Sequence, residues 1–403
     1  MSLRAKRGNL ILNPLRLLRD FVPRNDKPLT HCLSREKILT GYYEQSSFIV
    51  LPDLLCYDVN MKAGLVYDPI YLEHDTGSHP ENSQRLVAIM SHLEEAGTKE
   101  KITLLSPRLA SVEELEMVHA AKYISQVKSK AEAGGGWLDA DTVMCPKSYE
   151  VALYAAGGLL TAVEAVMKAE LDSVVALVRP PGHYATHNQA MGFCIFNKVA
   201  IAAKFVLTNF NLSRVRIADF DVHHGNATQD TFYADPTILY FSTHQYPFYP
   251  GTGWMDEIGT REGKGFTVNF PMNAGWGDEE YLRAYNEVLV PVAQRFQPQL
   301  ILVSVGFDPH WADSIAMMQV SITGFAQIVT ILKKLAIELC QGRLVFTLEG
   351  GYNLRVVGPG TRAIFDVLLD SPEIVDPLGK STRVRHEGFD PHIEKIKKIH
   401  RTG

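Results

Sequence analysis

Cysteine is scarce in this chain: five residues in 403 (Cys32, Cys56, Cys145, Cys194 and Cys340), an odd number with no C-x-x-C spacing. That argues against a disulfide framework and against a cysteine-ligated zinc site, and it suits a reducing compartment such as the cytoplasm. Long apolar runs are missing too, so no bilayer span is expected, and the first residues lack a signal-peptide core. Neither sign of charge dominates. The formal net charge is -5, so no overall attraction to nucleic acid is expected. Internal repeats and low-complexity tracts are absent. What the chain does have is 46% apolar residues over its 403 positions. That is enough for one large core, most simply a single α/β domain with an extension.

The extension is residues 1–60. Arg4, Lys6, Arg7, Arg16, Arg19 and Arg24 are spaced among leucines, and Asp20 and Asp26 are the only acids before Arg35. A basic amphipathic start fits a surface segment folded against the main domain and leaves targeting open. The main domain is expected to occupy residues 61–403.

Within it, β-rich apolar runs alternate with helical patterns. The runs are SVVALV (173–178), RVRIADFDV (214–222), LILVSVGF (300–307) and RLVFTLE (343–349). Between or after them come NKVAIAAKFVLTNF, EEYLRAYNEVLVPVAQRF and TGFAQIVTILKKLAIEL. Strands apolar on both faces and joined by helices predict a mainly parallel sheet flanked by helices on both faces.

Each run ends in polar residues that would be costly to bury without purpose: His183, the cluster Asp219 to His224, Asp308, and Glu349 to Asn353. Sites in parallel sheets form outside the carboxyl ends of the strands, so these four ends are expected to converge. On an extended strand residues two apart share a face. Asp219, Asp221 and His223 are therefore predicted to point together, with Phe220 and Val222 opposite.

Two carboxylates and an imidazole suit zinc and tolerate iron(II), cobalt or manganese. Asp308 is the best distant candidate to complete the set, although an isolated strand-end aspartate often just caps a helix. Three protein ligands leave a position for water, the layout of a hydrolytic site. The Gly-Gly turn of LEGGYN carries Tyr352, whose phenol can donate to a developing oxyanion. His183, lifted out by two prolines and a glycine, can serve as general base or acid. The constellation reads as metal-assisted amide hydrolysis.

The ordered set HPENSQRL, LDADT, RPPGH, GFCIFN, DFDVHHGNATQ, PFYPGTG, GFDPHWAD and LEGGYN resembles the zinc-dependent histone deacetylase and acetylpolyamine amidohydrolase family over roughly residues 61 to 375. The wording is nearest its class II-like branch and bacterial relatives. The resemblance implies an arginase-like fold, zinc ligands Asp221, His223 and Asp308, and Tyr352 as the transition-state tyrosine. His183 matches the first histidine of the family's tandem pair, with Asp219 as its partner. Phe193 and Tyr249 match the walls of a narrow acyl-lysine channel, Tyr249 standing where the family more often has phenylalanine. Asp219, Asp221 and Ser242 match a monovalent-cation site, so potassium is a second expected ion. Arg85 matches an arginine lining an inner cavity. Asp139 and Asp141 align loosely with the rim.

Tyr184 departs from the pattern, which has a second histidine there. A phenol with an ordinary pKa of about 10 is a poor proton acceptor near neutrality. Proton transfer then falls to His183 with Asp219, or to His187 swinging in from the same loop, or the chain binds acyl-lysine with little turnover. The reading adopted is a deacylase acting on Nε-acylated lysine in peptides or proteins. Ile315, aliphatic where polyamine-selective relatives favour an acidic residue, weighs against a small-molecule amidohydrolase.

Overall fold

The computed structural model describes residues 61–402. The basic segment 1–60, with Cys32 and Cys56, lies outside the described residues. Ten strands are present among the described residues: β1 (Ala63–Val66), β2 (Thr103–Leu105), β3 (Gly136–Trp137), β4 (Val143–Met144), β5 (Ser173–Ala176), β6 (Val215–Asp219), β7 (Ile238–Gln245), β8 (Thr267–Met272), β9 (Ile301–Val305) and β10 (Leu344–Leu348). Eight of them form one sheet in the order β2-β1-β5-β10-β9-β6-β7-β8. Every pairing in that sheet is parallel. β3 and β4 make a separate antiparallel hairpin.

Every residue of β5, β6, β9 and β10 is buried. Their sequences are therefore mostly apolar rather than alternating, as strands covered on both faces require, although β6 also encloses Arg216. The helices Ser148–Met167 and Lys198–Asn209 pack on each other and on the sheet, and Ile322–Cys340 packs on the sheet and on Leu354–Leu368. Asn197, Ser321 and Asn353 cap three of these helices, each side chain accepting a hydrogen bond from a first-turn amide. The pattern EEYLRAYNEVLVPVAQRF is helical throughout, with a π turn at Tyr285–Leu289.

Two expectations need correction. The helix Ser148–Met167 is by length and composition apolar enough to cross a membrane. Most of it is buried here, because it lies against β1, β5 and β10, and a helix enclosed by protein has no polar face to interrupt its hydropathy. The second concerns β6, which stops at Asp219. Asp221 and His223 stand in the loop beyond it, and their convergence depends on that loop rather than on strand alternation.

Candidate active site

β5, β10, β9, β6 and β7 are consecutive neighbours in the sheet, so the loops leaving their carboxyl ends stand side by side. Asp219, the last residue of β6, pairs in register with Ser242 on β7 and Ser304 on β9. Its Oδ1 accepts the Asp221 amide at 3.1 Å, which turns the chain after the strand. Asp221 in turn accepts the His223 amide at 3.0 Å through Oδ1 and the Gly350 amide at 2.7 Å through Oδ2. Asp308 Oδ1 accepts the Val222 amide at 3.0 Å. Backbone amides thus aim all three side chains before any ligand arrives.

Ligand atoms of Asp221, His223 and Asp308 all lie within 4.8 Å of one another, and all three residues are buried. His223 Nδ1 is 3.1 Å from Asp221 Oδ1 and 3.4 Å from Asp308 Oδ2. Among the described residues Asp308 Oδ2 is enclosed without a hydrogen-bond partner. An orphaned carboxylate oxygen beside a second carboxylate is what a cation relieves, so these residues fit a divalent metal. The Gly-Gly turn after β10 follows from the same crowding: a Cβ on Gly350 would collide with the carboxylates of Asp308 and Asp221.

The protonation energetics agree. Burial and repulsion from Asp221 raise the Asp308 carboxyl to about 6. Burial also raises Asp219 to about 6, against the pull of His183. At His183 burial disfavours the charged imidazole, but Asp219 and Asp221 outweigh it and lift it to about 9. A bound cation acts in the opposite sense on every one of these groups.

His183 Nδ1 meets Asp219 Oδ2 at 3.0 Å, and its Nε2 is 4.0 Å from Asp221 Oδ1, on the side of the cluster. The loop carrying it is held by Glu349, whose Oε2 accepts the amides of Gly182 at 2.6 Å and His183 at 3.4 Å. Lys198 Nζ lies 2.8 Å from that same oxygen, and both side chains are fully enclosed. The pairing of Lys198 with Glu349 was not foreseen. Its signal was a lysine inside the apolar helical pattern NKVAIAAKF, since a buried ammonium needs a counter-charge.

Tyr352 follows the Gly-Gly turn, its amide bonded to Asp313 Oδ2 at 2.7 Å. Its ring meets Phe193 edge-on with centroids 5.9 Å apart, and the Arg85 guanidinium carbon is 5.0 Å from the Tyr352 centroid. Arg85 also donates to the carbonyls of Gly351 and Glu349, both at 2.6 Å, clamping the turn. Tyr249 is 40% exposed, and its ring lies 6.3 Å from that of His223. Phe248, which sequence reasoning missed, stacks on His223 at 5.2 Å. Phe193 and Tyr352 thus meet through one ring contact, and Tyr249 and Phe248 meet His223 of the metal-type cluster through others.

Other candidates stand apart. Ile315 lies in the loop after Asp308, its amide bonded to Asp313 and its side chain packed on the core. Asp141 Oδ1 accepts the Gly192 amide and Thr142 Oγ1 the Phe193 amide, both at 3.1 Å, so this segment braces the Phe193 wall. His187 does not join the cluster: its Nδ1 is engaged with the Val118 carbonyl at 2.5 Å. His224 is bonded to Thr252 and Gln229. Ser242 Oγ contacts His244 Nδ1 at 2.9 Å.

Fold and cluster together define an arginase-like α/β protein with a carboxylate–imidazole centre at the carboxyl edge of its parallel sheet. A histone deacetylase domain is matched over residues 79–368. The chain is 40% identical over 304 residues to a probable deacetylase of Archaeoglobus fulgidus, covering 75% of this chain and 84% of that one. It is 37% identical over 349 residues to the chloroplastic histone deacetylase 14 of Arabidopsis thaliana, covering 82% of each. The crystal structure of the HDA15 HD domain superimposes with a TM-score of 0.77 at 32% identity, over 85% of this chain and 94% of that one. The chain belongs to the histone deacetylase family.

Proposed function

We propose that this chain hydrolyses the amide bond of Nε-acylated lysine in peptides or proteins, using a divalent cation held by Asp221, His223 and Asp308. The observation that carries the reading is the convergence of those three buried side chains, with Asp308 Oδ2 lacking a hydrogen-bond partner among the described residues. Zinc suits the donor set, and iron(II) is tolerated by it. Potassium is proposed beside Asp219, Asp221 and Ser242. When bound, the divalent cation supplies Lewis-acid polarisation of the amide carbonyl and activates water.

The chain's own groups do the rest. His183 Nδ1 is committed to Asp219, which leaves Nε2 to take the proton of the attacking water and return it to the leaving lysine amine. Tyr352 donates to the carbonyl oxygen as it gains charge. Phe193 and Tyr249 enclose the apolar stem of the lysine. The test is turnover by metal-replete protein on peptides bearing acetyl, lactyl, crotonyl and longer acyl-lysines, run beside acetylated polyamines. Cleavage of acyl-lysine peptides is expected. Preferential cleavage of polyamines would move the assignment to a small-molecule amidohydrolase, and tight binding without cleavage would leave an acyl-lysine-binding protein.

A further inference from the structure

The hydroxyl of Tyr184 is buried and has no hydrogen-bond partner among the described residues. A buried phenol without a partner loses its hydration with no return, so a native site that keeps one generally satisfies it with water or ligand. Tyr184 cannot solve the problem by turning away. A Cβ on Gly192 would run into its ring, and Ala185, Cys194 and Met191 pack around it. The His183 ring lies 4.2 Å away, and Tyr249 meets it nearly perpendicularly at 5.2 Å.

The enclosed hydroxyl belongs to the reaction centre. The Tyr184 ring is 6.1 Å from that of His223. A phenol with an ordinary pKa of about 10 is a hydrogen-bond donor and not a base near neutrality. The other imidazole of this loop, His187, is tied to the Val118 carbonyl. Tyr184 and His183 are thus the two polar groups that this loop turns towards the cluster.

We propose that Tyr184 is a catalytic residue whose hydroxyl donates a hydrogen bond to the oxygen of the attacking water and keeps that bond as the oxygen joins the acyl carbon. The proposal rests on the acyl-lysine reading above. The water O–H bond breaks towards His183 Nε2, the new C–O bond forms, and the C–N bond then breaks as the amine leaves with that proton. Tyr184 keeps its own proton throughout. With Tyr352 on the former carbonyl oxygen, two phenols hold the two oxygens of the tetrahedral species, one each.

The test uses a peptide whose acyl-lysine amide is replaced by a trifluoromethyl ketone, which binds as its hydrate and presents two oxygens on one carbon. Its Kd is measured by calorimetry on metal-loaded wild type, Tyr184→Phe and Tyr184→His, alongside bound metal and kinetics on an acetyl-lysine peptide. Tyr184→Phe is expected to weaken the probe and lower kcat each by about tenfold, the worth of one buried hydrogen bond, with KM and metal content unchanged. Tyr184→His, which supplies a ring N–H donor, is expected to recover probe affinity and, by adding a second acceptor, to raise turnover above wild type. Wild-type affinity and kcat in Tyr184→Phe overturn the assignment while leaving the acyl-lysine reading intact. No binding of the probe to wild type removes that reading and this assignment together.

Discussion

One carboxyl oxygen of Asp308 accepts the Val222 amide, and the other is enclosed with no hydrogen-bond partner among the described residues, His223 Nδ1 standing 3.4 Å away. At the residue scale this asymmetry separates a helix-capping aspartate from a ligand, because a cap would spend its oxygens on amides. Removing the side chain should empty the centre. Asp308→Ala is expected to copurify with far less than the about one divalent ion per chain of wild type, measured by elemental analysis, and equal metal in both would take Asp308 out of the ligand set. That Asp221, His223 and Asp308 come together was readable from the sequence because several metal-competent groups lie at the ends of neighbouring apolar runs, where one alone would read as a cap. His187 was not: it has the same side chain and the same loop as His183, and only the Val118 carbonyl shows that it is engaged elsewhere.

The elements that hold the site depend on a buried pair. β10 delivers Glu349 to the backbone of the loop after β5, and the helix Lys198–Asn209 delivers Lys198 to Glu349. Glu349→Gln leaves an enclosed ammonium without its counter-charge, which costs about 3–5 kcal/mol. Urea unfolding should report a loss of that size in the single variant. Adding Lys198→Met should recover most of it, since a pair removed whole is far less costly than a pair broken. A double variant no more stable than Glu349→Gln would mean that the two residues are not coupled. The strands and helices involved were evident from apolar runs and helical periodicity. The pairing was not, because its members stand 151 positions apart, the difference between 349 and 198.

Across the whole molecule, distant segments are tied by neutral histidines. His119 Nδ1 donates to the Thr186 carbonyl at 2.8 Å, while its Nε2 accepts the Asn197 amide at 2.8 Å. Both nitrogens are committed, so a proton on Nε2 would face an N–H. Burial accordingly lowers this imidazole to about 4. An unfolded histidine titrates near 6.5. Between pH 6.5 and 4 the unfolded chain therefore binds the extra proton, and stability falls as pH falls through that window. From pH 6.5 to 5 the contribution is about 2 kcal/mol. Denaturant unfolding of wild type should show that added acid sensitivity relative to His119→Gln, and identical pH dependence in the two proteins would refute it.

The sequence by itself determined the chemistry and the class of fold. Residue types such as aspartate, histidine and tyrosine at the ends of apolar runs carry their reactivity wherever they fold, and mostly apolar strands separated by helices permit few arrangements besides a covered parallel sheet. Tertiary structure alone decided which groups meet. The strand order set β5, β10, β9, β6 and β7 side by side. It also buried the Ser148–Met167 helix, whose composition matches that of a membrane span, and tied His187 to a carbonyl. Tyr184 shows the division most plainly. Its identity was visible in RPPGHYA, but only packing by Gly192, Cys194 and Ala185 leaves its hydroxyl enclosed and unpaired beside the cluster, because partners and solvent exclusion are properties of the folded chain.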